Sequence, residues 1–203
     1  REGLPLLQEH LGHYCHTVVA DLYEGLAVAF MDWIERFPER DAIAGELAGR
    51  LTAAGFSPSL TCCYPLKHTS DVRRAYLLHQ ENISIARQIW PRPACYTLQE
   101  LVFAAECQTI LEESEAALST ALSPIEPLMH VREDNLLVHT LEVYLLDAKS
   151  SVTTCAELLF LHKNTVKYRI NRIRELLGHP VDKVPELFAL YRSAALHRLT
   201  TSR

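Results

Sequence analysis

The chain has 203 residues with a formal net charge of -5, hydrophobic residues at 48 % and charged residues at 22 %. That balance fits a globular core and excludes a disordered polymer. No apolar run reaches about 18 residues, so no membrane span is expected, and the start "REGLPLLQEH" lacks a basic-then-apolar leader pattern.

Residues 4–16, "LPLLQEHLGHYCH", read as the end of a helix. The stretch "TVVADLYEGLAVAFMDW" has two apolar, β-rich runs around "YEG". It predicts a hairpin, Thr17–Leu22 and Leu26–Asp32, with Gly25 in the turn. "PERDAIAGELAGRLTAAG" predicts an amphipathic helix that starts at Pro38, stops at Gly55 and carries Ile43, Leu47 and Leu51 on one face. "SLTCCYPL" reads as a short strand. A helix is expected from the cap Ser70 to Trp90, where "PRP" stops it. Another is expected from near Thr97, with Glu100 completing a capping box. The first half is therefore α+β, with strands and helices intermixed. Pro124 and Pro127 break the periodicity, which places a linker near Ser114–Arg132. Beyond it every pattern is helical: "DNLLVHTLEVYLLDA" with Asp134 as cap, "SVTTCAELLFLH", "KNTVKYRINRIRELLG" closing on Gly178, and "PELFALYRSAALHRL" with Pro185 in its first turn. The last helix is expected to pack under the one before it through Leu187, Leu190 and Ala194.

The six cysteines form no CxxC pair and read as small core residues of a reducing cytoplasm. His10, His13 and His16 recur at helical spacing, which more often marks a half-exposed face than a metal site. No metal, cofactor or catalytic residue is assigned.

Charge is unevenly spread. Residues 1–130 hold 9 basic and 17 acidic side chains, and residues 131–203 hold 11 basic and 8 acidic. The positive charge gathers between His162 and Arg174, where Lys163, Lys167, Arg169, Arg172 and Arg174 occur without one acid. On the helix Lys163–Leu177, Val166, Ile170, Ile173 and Leu177 make one buried stripe. Lys163, Lys167, Asn171 and Arg174 lie beside it. Asn164 and Tyr168 point away from it, and Arg169 and Arg172 continue round the flank. A short helix with the small Ala156 at the crossing, a tight turn and a second helix that starts basic is the helix-turn-helix plan. In that plan the second helix enters the major groove, so Lys163 and Asn164 would meet base edges, and Lys167, Arg169 and Arg172 would meet phosphate. The competing reading is a solvated helix face. The lack of acids before Glu175 weighs against it, because ordinary exposed helices intersperse Glu with Lys.

Residues 131–200 resemble the C-terminal helix-turn-helix domain of the PucR/CdaR family of bacterial transcription regulators. The residues that carry the likeness are Thr140-Leu141, Tyr144-Leu145, Ala156, Leu159, His162, Asn164-Thr165-Val166, Tyr168-Arg169, Ile173 and Leu176 to Gly178. The resemblance implies sequence-specific binding of double-stranded DNA through Lys163, Asn164, Thr165, Lys167, Tyr168, Arg169, Asn171, Arg172 and Arg174, and control of a catabolic operon from the cytoplasm. The first half resembles the degenerate GGDEF-like domain of the same family, with Glu24-Gly25-Leu26-Ala27-Val28 where an active cyclase has its signature turn. Leu26 and Ala27 supply no side-chain oxygen for Mg²⁺, and Asp21 and Asp32 read as structural, so no cyclase and no enzyme is expected. The domains expected are a partial GGDEF-like α+β domain at 1–113, a linker at 114–130 and an all-α helix-turn-helix domain at 131–203. The opening strand and helix of the first domain would lie upstream of residue 1, with any sensor for a small-molecule effector. Alternatives are a regulatory or dimerisation module without DNA specificity, and a nucleotide-processing enzyme. A homodimer would set two reading helices at half-site spacing, and the stripe Tyr76, Ile83 and Trp90 is one candidate contact, though such a stripe is more often core.

Overall fold

The computed structural model describes residues 2–32, 40–63, 66–92, 94–130 and 134–201. The expected helix start at Pro38 lies outside them, as does the side chain of the expected cap Asp134. The chain divides into two compact units: Arg1–Val72 with Pro93–Leu98, and Arg73–Arg92 with Gln99–Arg203.

The first unit is α+β. Helix α1 (Gly3–Gly12) precedes a hairpin of β1 (Val18–Tyr23) and β2 (Leu26–Met31), followed by α2 (Arg40–Ala53) and β3 (Leu60–Cys62). Strand β4 (Cys95–Thr97) pairs with β3 in parallel, while β1 and β2 pair antiparallel. The hairpin is built by its turn. Glu24 and Gly25 both take positive φ, 48° and 86°, the two-residue turn whose twist matches that of the strands. Tyr23 therefore faces Leu26, and Val18 faces Met31. Strand alternation sends Val18, Ala20, Ala29 and Met31 onto a core of Leu7, Leu11, Ile43, Leu47 and Leu51 from α1 and α2. The opposite face leaves Val19, Tyr23 and Phe30 exposed. Asp21 accepts the N–H of Leu22 at 2.7 Å, and Asp32 accepts that of Thr17 at 2.6 Å at the open end of the hairpin. Both acids are structural. His10 is likewise a core residue: its Nε2 meets Ile43 O at 3.0 Å and its Nδ1 meets Arg50 at 3.3 Å. Among the described residues no group of three or more His, Cys, Asp or Glu could hold a metal.

Helix α3 (Thr69–Ile89) starts one residue before the expected cap Ser70. Its entry is held by Asp71, whose carboxylate accepts the N–H groups of Lys67 and His68 at 3.0 Å each. From Arg73 onward α3 belongs to the second unit.

The second unit is all helical and larger than the expected domain at 131–203. It adds most of α3, with α4 (Leu98–Glu113), α5 (Glu115–Leu122), a 3-10 turn (Ser123–Ile125) and α6 (Glu126–Met129), to α7 (Asp134–Glu142), α8 (Val152–Leu159), α9 (Lys163–Leu177) and α10 (Glu186–Thr201). The expected stripe on α3 is core at Trp90, whose Nε1 donates to Tyr191 OH at 3.1 Å and whose ring packs against Phe103.

The linker expected at 114–130 is corrected: these residues are helical, with α5 and the 3-10 turn packed on α10 and α6 packed on α7 and α9. Ser114 caps α5 by accepting the N–H of Ala117 at 3.1 Å. Pro124 and Pro127 stand in the first turns of their helices, where the missing N–H costs nothing. Ala121, Ile125 and Leu128 are buried. The prolines start helices here; they do not break one.

Helix α10 is the buried spine, with Leu190, Ser193, Ala194, Ala195, Leu196 and Leu199 inside. Its main neighbours are α5, the 3-10 turn and α7, whereas α9 rests on α6, α7 and α8. Ser193 Oγ donates to Ala121 O at 2.6 Å. Arg198 makes two bonds to Asp147, at 2.7 and 3.2 Å, and one to Ile89 O. Helix α7 widens at its end into a π-turn, Val143–Asp147, which turns four consecutive side chains, Val143 to Leu146, inward.

Candidate nucleic-acid interface

Helix α8 is opened by Ser151, whose Oγ accepts the N–H of Thr154 at 3.2 Å, and it buries Cys155 and Ala156. Ala156 is buried, and α8 packs on α9. The turn then closes on Phe160 at φ 54° and ψ 41°. Its N–H and that of Leu161 return to Ala156 O and Glu157 O, the bonding of a helix end that usually carries glycine. Phe160 takes the place of that glycine and is 96 % exposed.

Helix α9 starts from His162. Its ring Nδ1 accepts the N–H of Asn164 at 3.2 Å, so the neutral ring carries its proton on Nε2. The helix ends on Gly178 at φ 74°, bonded to Arg174 O. Val166, Ile170 and Ile173 are buried, as the periodicity required, and Leu177 is half-buried.

The cations divide by what they touch. Lys163 and Lys167 are exposed and make no ion pair among the described residues. Asn164, Asn171 and Tyr168 are exposed with them, Tyr168 at 66 %. Thr165 is half-buried. Arg169, read from the sequence as phosphate-facing, is half-buried, and its Nη1 donates to Thr140 Oγ1 on α7 at 3.2 Å. Arg172 pairs with Glu175 at 3.0 Å. Arg174 meets Asp182 at 3.5 Å and Asn171 Oδ1 at 3.4 Å. Among the described residues, positive charge without an ion pair is therefore concentrated at Lys163 and Lys167, in the first turns of α9. Sequence reasoning left out His162 and Phe160, which border the same end. The signal for His162 was its place directly before the helix, where a side-chain acceptor caps the first turn.

Residues 137–196, from α7 into α10, match the PucR C-terminal helix-turn-helix domain. In this region the chain is similar to the PucR/CdaR family of transcription regulators. It is 26 % identical over 121 residues to the carbohydrate diacid regulator of Escherichia coli, covering 60 % of this chain and 31 % of that protein. It is 44 % identical over 55 residues to the purine catabolism regulatory protein of Bacillus subtilis, covering 27 % and 10 %. An uncharacterised protein of Mycobacterium tuberculosis is 35 % identical over 63 residues, covering 31 % and 15 %. The chain spans under a third of the length of these relatives. The two named relatives are regulators by name. Among the described residues no helix is long and apolar enough to cross a membrane.

Proposed function

We propose that this chain is the DNA-binding part of a transcription regulator and that α9 reads the major groove of duplex DNA. The observation that carries the reading is the exposed charge of Lys163 and Lys167, without an ion pair among the described residues, beside Asn164 and Tyr168 at the start of the second helix of a helix-turn-helix. Lys163 and Asn164 meet base edges, since an amide suits adenine and a cation suits guanine. Lys167, Tyr168 and Asn171 meet phosphate and sugar, and Thr165 lines the approach. Arg172 and Arg174 supply charge that Glu175 and Asp182 partly offset. Arg169 braces α9 on α7. The names of the two relatives support a role in switching nutrient-use genes. The first unit is a degenerate GGDEF-like domain in this reading; the turn Glu24-Gly25 is what supports that likeness. The regulator acts as a homodimer that presents two α9 helices to a two-fold operator, a state that sedimentation velocity would test.

The reading is tested by anisotropy on a labelled pool of random duplexes across a salt series. Affinity that falls with a log–log slope of several units is expected, because each neutralised phosphate releases counterions. Absence of binding at 50 mM salt would sink it.

A further inference from the structure

Three of the six cysteines are shut away from chemistry. Cys15, Cys107 and Cys155 are buried. Burial pushes the Cys107 thiol up to about 12 and the Cys155 thiol up to about 11. The thiolate is the nucleophile, so these groups are inert near neutral pH.

The other three gather where β3 meets β4. Cys62 ends β3 and is exposed, Cys63 follows it, and Cys95 opens β4. The parallel register pairs Leu60 with Cys95 and Cys62 with Thr97. Side chains two apart on a strand share a face. Cys62 and Cys95 are therefore diagonal neighbours on one face, and their Sγ atoms stand 3.6 Å apart. That is van der Waals contact between two sulfurs, about 1.6 Å beyond a bond. Burial and the neighbouring Cys62 both push the Cys63 thiol up, which makes it the poorer nucleophile.

We propose that Cys62 and Cys95 form a dithiol modification site, which a peroxide converts to an intramolecular disulfide that staples β3 to β4. The exposed Cys62 thiolate attacks one peroxide oxygen. An S–O bond forms, the O–O bond breaks, and the departing hydroxide takes up a proton. Cys95 then attacks the Cys62 sulfur as a thiolate. The S–S bond forms, the S–O bond breaks, and a second hydroxide leaves as water. Two thiols and one hydrogen peroxide give one disulfide and two waters, with two electrons passing from sulfur to oxygen. A dithiol reductant reverses the change by exchange. The site lies within the first unit and stands whether or not α9 binds DNA.

The test exposes the whole chain to a small excess of hydrogen peroxide, quenches with catalase, and titrates the remaining thiols in denaturant. The count is expected to fall from six to four, and to return to six with dithiothreitol. Peptide mapping without reductant should recover one pair, Cys62 with Cys95. Cys62→Ser should keep all five of its thiols, and Cys63→Ser should fall from five to three, with circular dichroism confirming that each variant is folded. An unchanged count, a loss of a single thiol, a bridge between Cys62 and Cys63, or a bridge between two chains would overturn the proposal.

Discussion

Arg169 separates two roles that look identical in the sequence. Its Nη1 donates to Thr140 Oγ1 at 3.2 Å, and the Thr140 hydroxyl itself donates to Leu136 O at 2.6 Å. Thr140 is fully buried, so this bond ties α9 to the interior of α7. A hydrogen bond to a charged group contributes about 1.5–3 kcal/mol in protein series, and the half-exposed guanidinium recovers part of that from water. Arg169→Met keeps the stem packing and should cost about 1–2 kcal/mol. In a domain of this size that is roughly 2–8 °C in Tm. Thr140→Val removes the acceptor and keeps the shape. Urea unfolding of both single variants and the double variant should give a coupling of about 1 kcal/mol. Lys167→Met, two residues before Arg169 on the same helix but exposed, should stay within about 0.5 kcal/mol of the parent. A coupling below about 0.3 kcal/mol, or equal losses for Lys167→Met and Arg169→Met, would refute the brace.

Arg198→Met strips the partner from Asp147, a carboxylate with only 6 % of its side chain exposed, and should cost about 3–5 kcal/mol, visible as a large drop in the urea midpoint. Phe160→Gly relieves a left-handed residue, worth about 1–2 kcal/mol, against the roughly 0.5–1 kcal/mol that glycine's chain freedom costs. The Tm should rise slightly, and a fall would mean that the exposed ring has a contact within the chain. Burial raises the pKa of Cys107, Cys155, Tyr144 and Tyr191. Each folded value lies above the unfolded one, so the folded chain holds more protons in alkali. Stability is full below about pH 8.5 and declines as pH climbs toward 11–12; a urea midpoint that stays level from pH 8 to pH 10.5 would contradict it.

The hairpin was legible because alternation and a turn dipeptide act locally, and the register follows from them. The buried stripe of α9 was legible for the same reason: Val166, Ile170 and Ile173 repeat at the helical period. The region 114–130 was misread because a proline signals both a helix start and a break, and only the burial of Ile125 and Leu128 decides between them. The division of the chain was also hidden. It depends on Trp90 and Ile89 meeting Tyr191 and Arg198, about a hundred residues on, and no local pattern reports that. The widening of α7 leaves no mark in a period-based reading. Within α9, the sequence showed five cations and no acid, but their partners Thr140 and Asp182 come from other segments, and Glu175 lies one residue past the run. Only the structure separates Lys163 and Lys167 from the rest.

The measurement that bears most directly on the central claim is duplex affinity across a salt series for Lys163→Ala plus Lys167→Ala beside the parent. If α9 reads DNA, the double variant keeps the parent's Tm, binds at least about ten times more weakly at low salt, and loses about 1–2 units of the log–log salt slope. An unchanged affinity and slope in a folded double variant would contradict the assignment of α9 as the reading helix.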